Sequence, residues 1–124
     1  GVPSHINLNA VPSCIYTHPE IACVGLSAEA AKAAGYHIKT GKCLMSANGK
    51  TVIENGERGF MKLVADKDTD VLLGAQLLCE RATDLISELT FAVANGFTTE
   101  QMKRTMRPHP TFSEALSEAL EALR

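Results

Sequence analysis

The chain has 124 residues, of which 45% are hydrophobic and 21% are charged, and its formal net charge is -2 at pH 7. This length and composition predict one folded domain, residues 1–124, that is large enough to bury a core. The near-neutral charge, with no run of Lys or Arg, argues against nucleic acid as a partner. The longest apolar stretch, residues 71–79, is far shorter than the roughly 18 residues that a membrane span needs, so we expect no such span.

The first segment with a clear pattern predicts two short strands. Residues 13–17 and 22–26 favour extended structure, and they are bent apart at His18-Pro19 because the residue before a proline avoids helical geometry. We assign His18 to this turn and give it no catalytic role.

A helix is predicted next. Ser27 is a good N-cap for an Ala-rich segment that runs through Ala34. Gly35 can take the left-handed conformation that commonly ends a helix. Residues 37–45 are then predicted to be extended, and a polar stretch with two Asn-Gly pairs follows.

Two hydrophobic segments, residues 59–65 and 71–79, predict an antiparallel hairpin. The loop between them carries Asp66, Asp68 and Asp70, which resemble the start of a calcium-binding loop. Such a loop also needs a glycine directly afterwards and a glutamate at its twelfth position, and this chain has neither. We therefore interpret the loop as a solvated turn.

The last part of the chain predicts three helices. Residues 82–95 carry an apolar stripe at helical spacing and end at an Asn-Gly pair. Thr98 and Gln101 have the spacing of a capping box, which predicts a short helix to about residue 105. The last helix carries one apolar face, formed by Phe112, Leu116, Ala119, Leu120 and Leu123. Strands and helices thus segregate along the chain, which predicts an α+β fold in which helices flank an antiparallel β-sheet.

The cysteines form no close C-x-x-C pair; they are Cys14, Cys23, Cys43 and Cys79. Zinc sites and redox disulfides usually contain such pairs, so we predict no metal site. We interpret the four residues as buried, reduced thiols, which favour a cytoplasmic location.

Residues 109–114 read HPTFSE and place His109 just before a predicted helix, with Glu114 in its first turn. Thr111 and Glu114 have the spacing of a capping box worth about 1 kcal/mol, and this interpretation leaves His109 as an ordinary loop histidine. The same carboxylate could instead orient the imidazole so that its other ring nitrogen accepts a proton. Spacing alone favours the cap, and the two roles can coexist.

The sequence contains no obvious electrophile or cofactor site to work with such a proton acceptor. Its nine glycines include no G-x-G pair for a dinucleotide, and it has no G-x-S-x-G or H-E-x-x-H motif. By itself the chain is therefore expected to bind no cofactor and to be inactive as an enzyme.

Two segments resemble a known family. Residues 11–25, VPSCIYTHPEIACVG, and residues 108–116, PHPTFSEAL, closely resemble the C-terminal interface domain of the flavin-dependent pyridine nucleotide-disulfide oxidoreductases, most of all the dihydrolipoamide dehydrogenases. The likeness covers nearly the whole chain. It implies an antiparallel sheet flanked by helices that forms most of a homodimer interface, with the FAD- and NAD-binding domains outside residues 1–124.

The resemblance also implies roles for particular residues. The family's proton-accepting histidine corresponds to His109 and its orienting carboxylate to Glu114, and both act beside the flavin and redox disulfide of the opposite subunit. The backbone of His109 and Pro110 would approach that flavin. The full-length enzyme is then expected to use FAD and NAD. Its expected substrate is dihydrolipoamide on a carrier protein of a 2-oxo acid dehydrogenase or glycine cleavage complex.

Arg107-Pro108 departs from the family pattern, in which a His-Ala pair commonly precedes the catalytic histidine. We expect Pro108 to stiffen this approach and Arg107 to add a fixed charge near the thiol substrate.

Two alternatives stay open: the interface domain of a glutathione-type disulfide reductase, and a free-standing dimerisation module without catalytic function. We also expect the apolar stripe from Ala82 to Val93 to make the isolated domain self-associate.

Overall fold

The computed structural model describes residues 1–56 and 58–124. Within them the strands are β1 Ser13–Ile15, β2 Glu20–Gly25, β3 Ile38–Leu44, β4 Phe60–Asp66 and β5 Leu72–Cys79. The helices are α1 Ala28–Ala33, α2 Gly49–Ile53, α3 Ala82–Asn95, α4 Thr99–Lys103 and α5 Glu114–Glu121, with short 3-10 turns at Leu8–Ala10 and Met45–Ala47. The described strands form one antiparallel sheet in the order β1-β2-β5-β4-β3. The predicted α+β architecture is confirmed.

The turn at His18-Pro19 separates β1 from β2, as predicted, although both strands have different bounds. β1 ends two residues early and β2 begins at Glu20 rather than at residue 22. Glu20 extends β2 because it pairs with Cys79 in the ladder and its carboxylate accepts hydrogen bonds from Thr83 at the start of α3. The sequence near Glu20 does not show these contacts, because both partners lie about 60 residues away.

The helix α2 was not predicted. Its N-cap is Asn48, whose Oδ1 accepts a hydrogen bond from the backbone N of Thr51 at 2.9 Å, and Gly49 is its first residue. An Asn-Gly pair is typical of a tight turn, but Asn is equally favoured as an N-cap, and here the capping role prevails. The segment predicted as a polar stretch therefore contains one and a half helical turns.

The hairpin of β4 and β5 is confirmed, but its loop is not a plain solvated turn. Asp66 is buried, and its carboxylate accepts a hydrogen bond from Thr69 Oγ1 at 2.7 Å. Asp70 accepts from Lys39 Nζ at 2.5 Å and from the backbone N of Glu100 at 2.9 Å. Asp70 therefore joins the loop to β3 and to the first turn of α4, whereas Asp66 bonds within the loop. The interpretation as a solvated turn holds for the exposed residues 67–69 and not for the aspartates at either end.

The core lies between one face of the sheet and the helices α3 and α5. The apolar stripe of α3 is buried there, with Ala82, Ile86, Leu89 and Ala92 at most 3% exposed. It packs on β2 and β5 of its own chain. The stripe is thus already covered within the domain, and it gives no reason to expect self-association.

The opposite face of the sheet carries a continuous row of apolar side chains, one from each described strand. In the strand register, neighbours along this row are paired, and the row consists of Ile15, Ile21, Leu78, Phe60 and Leu44. Ile15 and Leu44, at the two ends of the row, are more than half exposed.

No helix in residues 1–56 and 58–124 is long and apolar enough to cross a membrane.

Candidate functional site

Residues 104–113 connect α4 to α5 and place His109 at the surface. The His109-Pro110 peptide bond is cis, and the His109 side chain is 77% exposed. Its Nδ1 lies 2.9 Å from Glu114 Oε1 and 3.2 Å from Oε2. The structure thus brings together the two residues that the sequence singled out.

The carboxylate of Glu114 has a second partner, the backbone N of Thr111, which donates to Oε2 at 2.9 Å. This bond is one of the two that define a capping box. The other is replaced, because the Thr111 hydroxyl donates to the carbonyl oxygen of Pro108 at 2.6 Å and lies 2.9 Å from Ser113 Oγ. The N-cap position of α5 is occupied by Ser113 rather than by Thr111. The predicted box is therefore only half formed, and Glu114 contacts His109 at the same time.

The surroundings of Glu114 favour its ionised form. The hydrogen bond from the Thr111 backbone is the main cause that lowers the pKa of Glu114, burial acts against it, and the contact with His109 lowers the pKa further. An ionised carboxylate can only accept hydrogen bonds, so it assigns the proton of the neutral imidazole to Nδ1. The exposed Nε2 is then the ring nitrogen that can accept a proton.

Pro110 is exposed and lies along an open surface groove next to the site. The same groove is lined by Lys50 at α2 and by Arg81 and Asp84 at the start of α3. Each of these cations has a carboxylate partner: Lys50 lies 2.7 Å from Glu54, and Arg81 lies 3.5 Å from Asp84. The surface beside His109 therefore has balanced charge.

Arg107 does not present its charge at the surface, contrary to the expectation of a fixed charge near the thiol substrate. Its side chain is only 4% exposed, and Nη2 lies 2.6 Å from Glu88 Oε1 on α3. Nη1 donates to Ser117 Oγ on α5 at 3.1 Å and to the carbonyl oxygen of Thr105 at 3.2 Å. The guanidinium is turned into the domain because a carboxylate and two further acceptors meet it there.

Sequence reasoning also missed Asn48 as part of this region. Its side chain is buried, and Nδ2 donates to the carbonyl oxygen of Thr111 at 3.0 Å. The contact spans 63 residues of sequence, so no local motif indicates it. An Asn-Gly pair at a helix start was the single available signal, and it identifies the cap without identifying its second partner.

The cysteines Cys14, Cys23, Cys43 and Cys79 are free thiols, as predicted, but only Cys43 and Cys79 are buried. Cys14 and Cys23 are half-buried on β1 and β2. Among residues 1–56 and 58–124, no group of three or more His, Cys, Asp or Glu side chains is placed to hold a metal ion.

Comparison with known proteins places this geometry in context. The chain is 44% identical over 119 residues to the mitochondrial dihydrolipoyl dehydrogenase of Caenorhabditis elegans, an alignment that covers 96% of this chain and 24% of that protein. It is 47% identical over 113 residues to the dihydrolipoyl dehydrogenase of Thermus scotoductus, covering 91% of this chain and 24% of that protein. The chain thus spans about a quarter of the length of these relatives.

Solved structures agree with these relatives. LpdA from Mycobacterium tuberculosis superposes with a TM-score of 0.87 at 28% identity, over 95% of this chain and 26% of that chain. The HOCl-induced flavoprotein disulfide reductase RclA from Escherichia coli gives 0.85 at 26% identity, over 90% of this chain and 26% of that chain. Residues 11–120 match the family described as pyridine nucleotide-disulphide oxidoreductase, dimerisation domain. The sheet, the flanking helices and nearly the whole length of the sequence therefore place this chain in that family of dimerisation domains.

Proposed function

We propose that this chain is the interface domain of a dihydrolipoamide dehydrogenase and that His109, oriented by Glu114, accepts the proton of a dithiol substrate. The observation that carries the proposal is the 2.9 Å contact between His109 Nδ1 and Glu114 Oε1 on a ring that is 77% exposed. The contact leaves Nε2 free to face a substrate supplied from outside the domain.

The proton transfer has a physical rationale. A thiol in water has a pKa near 8.5 and an imidazole near 6.5, so moving the proton from sulfur to nitrogen costs roughly 2.7 kcal/mol. An ionised carboxylate beside the ring stabilises the imidazolium and reduces this cost. The proton moves from the substrate S–H to Nε2. The thiolate left behind would attack one sulfur of a redox disulfide and form a mixed disulfide with it, while the other sulfur leaves as a thiolate with the electron pair of the broken bond.

FAD and NAD, bound by the remainder of the longer enzyme, would supply the electron relay and the final acceptor. The residues of this chain fit a contact with the edge of a flavin rather than a binding site for one. His109 and Pro110 are both exposed, whereas the sequence has no glycine-rich dinucleotide motif. Their role would be to approach a flavin held by the partner subunit.

The longer protein is proposed to be a homodimer. The family is described as a dimerisation domain, and the sheet face opposite the core carries the apolar row from Ile15 to Leu44, whose two ends are more than half exposed and which an interface would bury. The substrate would be dihydrolipoamide on a carrier protein of a 2-oxo acid dehydrogenase or glycine cleavage complex. The free thiols fit a reducing compartment, so we propose a cytoplasmic location.

The test uses His109→Gln in the full-length flavoenzyme. Oxidation of dihydrolipoamide is expected to fall by roughly 10²- to 10⁴-fold, the range for a general base. Flavin content and NADH-driven reduction of artificial acceptors are expected to persist, because neither requires a thiol proton to be removed.

His37→Gln is the matched control. His37 is an exposed histidine that directly precedes β3. Its Nδ1 lies 3.0 Å from a carboxylate oxygen of Asp68. It copies the geometry of the candidate pair away from the site, and its substitution is expected to leave turnover unchanged. Normal dihydrolipoamide turnover by the His109 variant would reject the proposal. Preferential activity of the wild type on glutathione disulfide with NADPH would favour the glutathione-type alternative.

A further inference from the structure

Arg107 anchors the segment that carries His109 to two helices. It lies two residues before the histidine, and its guanidinium contacts Glu88 on α3 and Ser117 on α5. A third hydrogen bond, to the carbonyl oxygen of Thr105, joins the side chain to the backbone of the same segment. The side chain is 4% exposed, so these contacts are made almost entirely out of water.

A short series of contacts leads from this anchor to the imidazole. Pro108 follows Arg107 directly, and its carbonyl oxygen accepts a hydrogen bond from Thr111 Oγ1 at 2.6 Å. The backbone N of Thr111 donates to Glu114 at 2.9 Å, and Glu114 contacts His109 at 2.9 Å. The position of the Arg107 backbone therefore influences both members of the candidate pair.

We propose that Arg107 is a positioning residue for the His109–Glu114 pair, acting through its buried contacts with α3 and α5. The inference rests on the proposed function of His109. Because the side chain is 4% exposed and bonded within the domain, Arg107 would affect the placement of the base and would not touch the substrate.

An arginine suits this role better than a lysine. The planar guanidinium presents donors in fixed directions, so it can meet acceptors on α3, on α5 and in the loop at the same time. Its Nε is buried without an acceptor among residues 1–56 and 58–124. The position of the group is thus set by its two terminal nitrogens, and above all by the 2.6 Å contact of Nη2 with Glu88.

The experiment compares Arg107→Met with Arg107→Lys in the full-length flavoenzyme. The methionine keeps much of the length of the side chain and removes its charge and donors. Misplacement of a catalytic group by about 1 Å can cost about 10²-fold in rate. We therefore expect Arg107→Met to lower kcat for dihydrolipoamide oxidation by about 10- to 100-fold, with little change in KM. Arg107→Lys should show a smaller loss of kcat than Arg107→Met.

Arg104→Met is the matched control. Arg104 lies three residues upstream, is 74% exposed, and pairs with Glu100 at 3.5 Å. Its substitution removes the same charge from the same region without removing an anchor, so kcat should stay within about two-fold of the wild type, because an exposed ion pair contributes little.

Several outcomes would overturn the proposal. Unchanged dihydrolipoamide oxidation in Arg107→Met would do so, and so would an equal loss of NADH-driven reduction of artificial acceptors, because a general structural defect lowers both rates. If Arg107→Met fails to bind flavin, Glu88→Gln replaces it, since this variant keeps an acceptor and removes only the charge of a residue that is 43% exposed. A several-fold selective loss of kcat in Glu88→Gln is expected, and no loss would reject the role of the anchor. His109→Gln, measured in parallel, tests the proposed function separately.

Discussion

The buried side chain of Asn48 donates from Nδ2 to the carbonyl oxygen of Thr111 across 3.0 Å, which joins the start of α2 to the loop that carries His109. Its Oδ1 accepts from both N and Oγ1 of Thr51 at 2.9 Å. Removing the amide leaves buried polar groups without partners and removes a helix cap. We expect Asn48→Ala to lower the free energy of unfolding by about 1–3 kcal/mol, measured by urea denaturation.

Asn7→Ala is the control for this prediction. Asn7 also caps a helical turn, since its Oδ1 accepts from the backbone N of Asn9 at 3.0 Å, but it is exposed. Water can replace its contact, so its loss should cost only a few tenths of a kcal/mol, about the lower limit for a cap. Equal destabilisation by the two substitutions would show that burial of Asn48 contributes nothing.

Glu114→Gln separates the charge of this residue from its hydrogen bonds. The amide oxygen of Gln can still accept from the backbone N of Thr111, so the loop should keep its shape, but the imidazolium loses its partner charge. We expect kcat/KM for dihydrolipoamide to fall by roughly 10- to 100-fold in the full-length enzyme. Because the pKa of Glu114 is lowered, the carboxylate is ionised throughout the neutral range. Titration of Glu114 itself therefore cannot account for any pH dependence of the ratio of wild-type to variant rates between about pH 6 and about pH 8.

Glu118→Gln serves as the comparison on the same helix, because Glu118 lies exposed on α5 one turn further along. Its removal is expected to leave kcat/KM unchanged. A loss equal to that of Glu114→Gln would mean that the general negative charge of α5, rather than the contact with His109, supports turnover.

The elements set by local pattern were predictable, and α3 is the clearest example. Its apolar spacing and the Asn-Gly pair at its end gave the bounds that the structure shows, because Gly96 takes the left-handed conformation that stops the helix. The capping box of Thr98 and Gln101 was also predicted, and both of its hydrogen bonds are present.

Contacts between distant segments were not predictable from the sequence. Arg107 was expected to place its charge near the thiol substrate, because nothing nearby in sequence shows that Glu88, nineteen residues away, binds it. Thr111 had the spacing of an N-cap, but its hydroxyl is bound to the carbonyl oxygen of Pro108. The pair of His109 and Glu114 was identifiable because its members are only five positions apart in the sequence, whereas the residues that hold the loop come from other elements.

The burial of the cysteines predicts two classes of thiol reactivity. Burial raises the pKa of Cys79 to about 12, with Glu20 and Glu80 adding to the shift. Burial likewise raises the pKa of Cys43. Because the thiolate is the reactive form, both should resist iodoacetamide in the native chain at about pH 8, while half-buried Cys14 and Cys23 react first. Mass spectrometry of the labelled peptides identifies the sites. Labelling of Cys79 as fast as Cys14 would contradict this prediction, and all four should react in denaturant.

Asp70 should make the stability of the domain sensitive to acid. Burial acts to raise the pKa of Asp70, but hydrogen bonds from Lys39, Thr99 and Glu100 outweigh it and lower the pKa to about 2. A carboxyl group with a lowered pKa in the folded state stabilises that state above the unfolded pKa of about 4, and this contribution is lost as the pH falls from about 4 to about 2. After allowance for solvent screening, it amounts to about 1–2 kcal/mol.

The measurement is urea unfolding of the wild type and Asp70→Asn at about pH 7 and again near pH 2.5. The variant should be less stable at neutral pH and should lose less stability on acidification, so the two proteins converge. Asp84→Asn is the control, because Asp84 is 73% exposed and lies 3.5 Å from Arg81. An exposed pair of this kind contributes little, so that variant should follow the wild type at both pH values. If Asp70→Asn also followed the wild type, the bonds from the loop to β3 and α4 would not stabilise the fold.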